Sequence, residues 1–249
     1  MGITKNAKLY HERMFPNYES TFLKTDPEFV ERFDNFAFDE VIQQTKIDEH
    51  TRYLAILASL IGCQGIEEFQ VIMKASFHFG VTPIEIKEMV YQSSAYLGMG
   101  RVLPFFNAIN QLFIEQNIEL PLAGQATTTT KNRFEKGSDT QVAIFGETMR
   151  DFATSGAKEQ QLINKWLVEH CFGDFYTRTG LTLKQRELIT LCFLVAQGGC
   201  ENQVHAHLNG NLNLGYTREE LIHILANLIP YIGYPRVLNG LAEIQNLTV

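Results

Sequence analysis

The sequence predicts an all-α fold made of two copies of one helical bundle, on three observations. Two blocks recur 135 positions apart with no gap between them. Gly80-Val81-Thr82-Pro83-Ile84-Glu85-Ile86 returns as Gly215-Tyr216-Thr217-Arg218-Glu219-Glu220-Leu221, and Tyr96-Leu97-Gly98-Met99-Gly100-Arg101-Val102-Leu103 as Tyr231-Ile232-Gly233-Tyr234-Pro235-Arg236-Val237-Leu238. In both copies a threonine stands three residues before a glutamate (Thr82 and Glu85, Thr217 and Glu220), the spacing of a helix capping box. Strand-like alternation punctuated by turn dipeptides is nearly absent. A unit repeated once over so long a period is a duplicated domain rather than a solenoid module.

Composition narrows the function classes. The chain has 249 residues, 45% of them apolar and 20% charged, with a formal net charge of −7. Its Lys and Arg residues are scattered rather than massed, which argues against a nucleic-acid partner. The longest apolar-leaning stretch, Tyr53 to Ile61, is a buried helix segment, far short of the ~20 residues that cross a bilayer. No apolar leader follows Met1, so the expectation is a cytoplasmic protein with no membrane partner. Cys63, Cys171, Cys192 and Cys200 are expected to be mostly reduced, since a chain this rich in core residues needs no disulfide scaffold.

In chain order, residues 1–120 read as an N-terminal, degenerate repeat. Its clearest helix starts at Thr82, with Pro83 at the first helical position and Ile86, Met89, Val90 and Ser93 on one buried face. Residues 121–135, with Pro121, Gly124 and the four threonines Thr127 to Thr130, read as a linker too polar and β-branched for an isolated helix. Residues 136–249 form the second repeat. There Thr182 and Gln185 open a helix through Leu188, Leu191, Cys192 and Val195, which Gly198-Gly199 breaks; Cys200 starts the next helix. The helix after Thr217 buries Leu221, Ile224, Leu225 and Leu228 and, like its partner after Thr82, is expected to run about four turns.

The candidate site lies in the second repeat: Glu187 near the start of one helix, then Cys200, Gln203 and His207, spaced three and four apart on one face of the next. A carboxyl beside an apolar surface and a neutral imidazole can exchange a proton near neutral pH. A thiol at a helix N-terminus is expected to have a lowered pKa. Each residue also has a plainer reading. Glu187 fits a first-turn glutamate paired with Arg186 or Lys184, His207 a satisfied histidine, and Cys200 a small buried residue in a tight turn. His205 points away from His207 around the helix, so no metal site is expected. The first repeat has Arg52, Gly65, Glu68 and Ile72 at the matching positions and reads as catalytically silent.

Gly180-Leu181-Thr182 with Arg186-Glu187-Leu188-Ile189-Thr190-Leu191, the helix bearing His207, the Gly215 block and Tyr231-Ile232-Gly233-Tyr234-Pro235-Arg236 together resemble the carboxymuconolactone decarboxylase family, whose superfamily also contains the alkylhydroperoxidases. The likeness is fullest from Val142 to Gln245, with Phe145-Gly146-Glu147 and Tyr176-Thr177-Arg178-Thr179-Gly180-Leu181, and a weaker copy runs from Pro27 to Phe113. It implies an alkylhydroperoxidase-like bundle and a decarboxylase acting on a small carboxylated lactone or related acid without a cofactor. Arg178 would clamp the substrate carboxylate, Gln203 would line the same site, His207 would donate a proton and Glu187 would orient or reprotonate it. Tyr176 and Thr179 replace a tryptophan and a proline of the family motif. The redox branch has a second cysteine where Gln203 stands, which rules out a vicinal dithiol relay but leaves a peroxidase using Cys200 alone. Arg178 as a mere surface residue, and a family member that binds a small molecule or a partner without catalysis, complete the alternatives. The resemblance implies a homotrimer, two fused repeats standing for the dimer of single-repeat relatives, with three competent sites.

Overall fold

In the computed structural model, which describes residues 2–247, the described chain is helical and contains no strand. The first repeat runs through α1 (Lys5–Met14), α2 (Phe22–Thr25), α3 (Pro27–Asn35), a π-helical turn at Phe36–Glu40, α4 (Val41–Gln44), α5 (Glu49–Gly62), α6 (Ile66–Ser76), α7 (Pro83–Leu97) and α8 (Met99–Glu115). The second comprises α9 (Arg133–Phe145), α10 (Gln161–Trp166), a π-helical stretch at Leu167–Tyr176, α11 (Leu183–Gln197), α12 (Glu201–Asn213), α13 (Arg218–Asn227), α14 (Ile229–Ile232) and α15 (Tyr234–Gln245). The starts of α6, α7 and α8 recur 135 positions on as those of α12, α13 and α15. The duplication is therefore structural as well as sequential.

The caps form as the sequence predicts. Thr82, Thr182 and Thr217 each accept from the backbone N–H three residues on, and Glu85, Gln185 and Glu220 reach back to the threonine N–H. Gly98 and Gly233, with φ of 77° and 79°, turn the chain identically between the last two helices of each copy, a conformation that disfavours a Cβ. One expectation fails. The helix after Thr217 stops at Asn227 and restarts as α14, whereas α7 continues unbroken to Leu97. Pro230 is the cause: it lacks an N–H to donate and tolerates only the first turn of a helix.

The two repeats do not bury separate cores. α5 and α11, both buried along nearly their whole length, pack on each other, and one apolar cluster takes in Leu54, Leu57 and Ile61 from the first repeat with Leu188, Leu191 and Leu194 from the second. A smaller cluster of Ile144, Cys171, Phe172 and Tyr176 sits between α9 and the π-helical stretch. The irregular chain between the repeats ends at Asn132, because α9 already begins at Arg133 inside the expected linker range. It is held down along its course: Thr127 and Thr128 donate to the carbonyls of Thr177 and Gly173, and the Gln125 carbonyl accepts from Thr179 N–H. No helix among the described residues is long and apolar enough to cross a membrane.

Candidate functional site

Three elements aim polar side chains into the interior between the repeats. On α11, Arg186, Glu187 and Thr190 are completely buried, although the rest of that helix is almost wholly apolar. On α12, His207 retains 7% of its surface and places Nδ1 2.7 Å from Glu187 Oε2. The π-helical stretch delivers the Tyr176 hydroxyl, which donates to Glu187 Oε1 at 2.8 Å and lies 2.7 Å from Thr190 Oγ1. Each carboxyl oxygen of Glu187 thus has a partner, as a buried acid requires. Asn211, one turn beyond His207, ties α12 to α11 by donating to the carbonyls of Glu187 and His207. Gly210 leaves room for the carboxyl, since a Cβ there would lie 2.7 Å from Glu187 Oε2.

The imidazole is fixed in plane as well. Tyr96, from α7 of the first repeat, and Phe145 meet its ring edge-on at centroid distances of 5.6 and 5.5 Å. The Tyr96 hydroxyl donates to Tyr176 at 3.0 Å and receives the Cys171 thiol. Burial raises both phenols far above the ordinary tyrosine range, the charge of Glu187 adding to the effect, and pushes the Cys171 thiol up to about 12. These groups remain protonated donors throughout the physiological range. With Nδ1–H held on the carboxyl of Glu187, the neutral imidazole carries its lone pair on Nε2, and the imidazolium presents a proton from the same atom. A histidine held this way can take or deliver a proton there.

The relay continues into the first repeat. Gln92 on α7 donates to Thr190 Oγ1 and to the Arg186 carbonyl, and its own carbonyl oxygen accepts from Arg186. Arg186 also donates to Glu88 Oε2 at 3.0 Å and to the carbonyls of Arg178 and Thr179. Burial lowers its pKa, Glu88 opposing the shift. Glu88 is in turn forked by Arg178, at 2.8 and 2.9 Å. Two i,i+4 pairs, Glu88 with Gln92 and Arg186 with Thr190, therefore interlock across the α7–α11 contact.

Of the residues singled out in the sequence, the structure brings Glu187 and His207 together and disperses the others. Gln203 is exposed on α12, one turn before the buried His207, and no hydrogen bond joins the two. Arg178 is largely buried, and both arms of its guanidinium fork are occupied by Glu88, which raises its pKa. Cys200 precedes the first turn of α12, and its thiol donates to the Leu194 carbonyl. Partial burial raises its pKa, contrary to the lowering expected of a thiol at a helix start. Arg186 does not pair with Glu187 but reaches Glu88 on α7. His205 is bound to Glu243 on α15, well apart from the His207 partner. In the first repeat Arg52 occupies the position of Glu187 and is spent on structure, donating to Thr45 and to Asn227. Ile72, at the position of His207, is core.

Tyr176, Thr190, Tyr96, Glu88 and Gln92 were not found as site residues from the sequence. The signal available was polar residues at i,i+4 spacing within helices otherwise built for burial.

Comparison with known proteins bears on the same elements. A model of the Carboxymuconolactone decarboxylase family matches residues 27–111 and 161–246, once in each repeat. The 4-carboxymuconolactone decarboxylase of Acinetobacter baylyi is 24% identical over 106 residues, which cover 42% of this chain and 78% of that protein. A crystal structure from Burkholderia xenovorans, described as a candidate gamma-carboxymuconolactone decarboxylase subunit, shares the fold over 96% of both chains, with a TM-score of 0.53 and 18% identity.

Proposed function

Since the chain belongs to the carboxymuconolactone decarboxylase family, we propose that it acts on a small carboxylated lactone or a related acid by proton transfer, with His207 as proton carrier and Glu187 as the group that orients and recharges it. Loss of carbon dioxide from such a substrate leaves an electron pair that conjugates into the ring and shifts the double bond. One proton must then reach the carbanion-like carbon. The imidazolium of His207 delivers it from Nε2, Glu187 stabilises the cation before transfer, and solvent restores the proton afterwards. Tyr176, itself bonded to Thr190, holds the carboxyl so that it does not rotate away from Nδ1.

The observation that carries this reading is the buried 2.7 Å contact between His207 Nδ1 and Glu187 Oε2, with Tyr176 on the other carboxyl oxygen. Arg178, expected as the carboxylate clamp, is already committed to Glu88. The substrate carboxylate that survives the reaction therefore requires a donor other than that fork as it stands. Loss of ultraviolet absorbance of carboxymuconolactone is the test. Glu187→Gln and His207→Ala should each lower turnover by about a hundred- to ten-thousand-fold, with the far-ultraviolet circular dichroism of the wild type. Unchanged turnover in either variant removes that residue from the mechanism.

A further inference from the structure

A cavity away from the Glu187–His207 pair lies where α7, α8, the inter-repeat chain and the Arg178 loop meet. It encloses about 510 Å³, within the ordinary range for small-ligand sites. Its walls are mostly apolar, from Ile84 and Ile114 on the helices and from Leu120, Pro121 and Leu122 on the connecting chain. Two cations and an aromatic ring stand among them: Lys87, Arg178 and Tyr91, whose ring the Arg178 guanidinium covers at 5.2 Å.

The charges at this cavity do not cancel. Among the described residues Glu88 is the only acidic side chain lining it, and two arginines, Arg178 and the fully buried Arg186, share that one carboxylate. A positive charge is left over. Lys87 adds another: its ammonium donates to Asn110 Oδ1 and lies 5.6 Å from the Phe113 ring centroid, and no carboxylate among the described residues forms an ion pair with it. Half-buried, with its pKa lowered by desolvation, it is an incompletely compensated cation facing an apolar cavity. In a chain of net charge −7 such a local excess is conspicuous. Nor does the duplicated fold require it, because the matching positions in the other copy are Ile222 for Lys87, His223 for Glu88, Ala226 for Tyr91 and Gln43 for Arg178.

We propose that this cavity binds a small organic acid with an apolar body, its carboxylate received by Lys87 and the outer edge of Arg178 and its body packed between α7, α8 and the Leu120–Leu122 segment. The site is separate from the proposed catalytic pair, and its occupancy does not depend on that assignment. Through Glu88, Arg186, Gln92 and Thr190 it is nonetheless joined to Tyr176 by an unbroken run of hydrogen bonds.

Calorimetric titration of the full chain with phenylacetate, and with phenylacetamide as its neutral counterpart, tests the proposal. Phenylacetate should bind saturably in this cavity, with an affinity that falls as salt is added, and phenylacetamide should bind at least about tenfold more weakly. Lys87→Met should weaken phenylacetate by about tenfold or more while leaving phenylacetamide unchanged. Ile114→Glu, which places a negative charge on an exposed position of the wall, should weaken phenylacetate in the same direction. His207→Ala and Glu187→Gln should bind it like the wild type. The proposal is overturned by no saturable binding at millimolar phenylacetate, by equal affinity for acid and amide, or by loss of binding in His207→Ala with retention in a folded Lys87→Met.

Discussion

At the scale of single residues, the sequence showed the Glu187–His207 pair, which we propose carries the proton, because the two fall on consecutive helices, with His207 on the side of α12 that faces the core. Their contact is direct. Cys200 was misread for a physical reason. The helix-start argument counts the dipole and the free N–H groups, but this thiol is partly desolvated and lies near the charge of Glu201, which together outweigh the hydrogen bond from Gln197, and the thiol itself points back to the Leu194 carbonyl. A raised pKa means less thiolate at neutral pH than an ordinary cysteine has. Alkylation of Cys200 by iodoacetamide, followed by peptide mass spectrometry, should therefore show its inflection above the ordinary cysteine range, the rate rising with pH as the thiolate forms. An inflection below neutrality would restore the reactive-thiol reading.

At the scale of elements, the helix starts were legible nearly to the residue, because each capping box is a local hydrogen-bonded unit that needs no tertiary partner. The end of the helix after Thr217 short of Pro230 was written in the sequence, where the apolar spacing alone suggests a longer run. What stayed hidden was which helices meet. Glu88 and Gln92 look like ordinary polar positions until α7 is laid against α11, and the role of Tyr96 depends on a helix of one repeat reaching into the other. The α5–α11 contact has its own requirement. A Cβ on Gly62 would sit 2.6 Å from the Phe193 carbonyl oxygen and 2.8 Å from the Ala196 Cβ, so the two backbones approach as closely as glycine permits. Gly62→Ala should force the helices apart and cost about 1–3 kcal/mol, read as a lowered urea midpoint. A midpoint equal to the wild type would mean that the central pair is not tightly packed there.

At the scale of the whole molecule, the duplication was plain from the sequence, and the structure adds that α5 and α11 merge the repeats into one core. Both copies also present apolar side chains to solvent at matching places: Met99 and Leu103 at the start of α8, Tyr234 and Leu238 at the start of α15. Surfaces of this kind mark association sites, and their repetition suits an assembly in which the two halves of each chain play equivalent parts. We expect a homotrimer, with light scattering giving three times the chain mass of 28.4 kDa; a monomer would contradict this. The two halves are not equivalent in chemistry. Arg52 and Ile72 close the first copy, whereas Glu187 and His207 furnish the second. The most direct test is a crystal structure with a non-decarboxylating analogue of the lactone acid. The analogue should lie within hydrogen-bonding reach of His207 Nε2, with no counterpart beside Ile72. An analogue seated against Arg52 and Ile72, or a His207 whose Nε2 faces protein while the analogue binds elsewhere, would contradict the account.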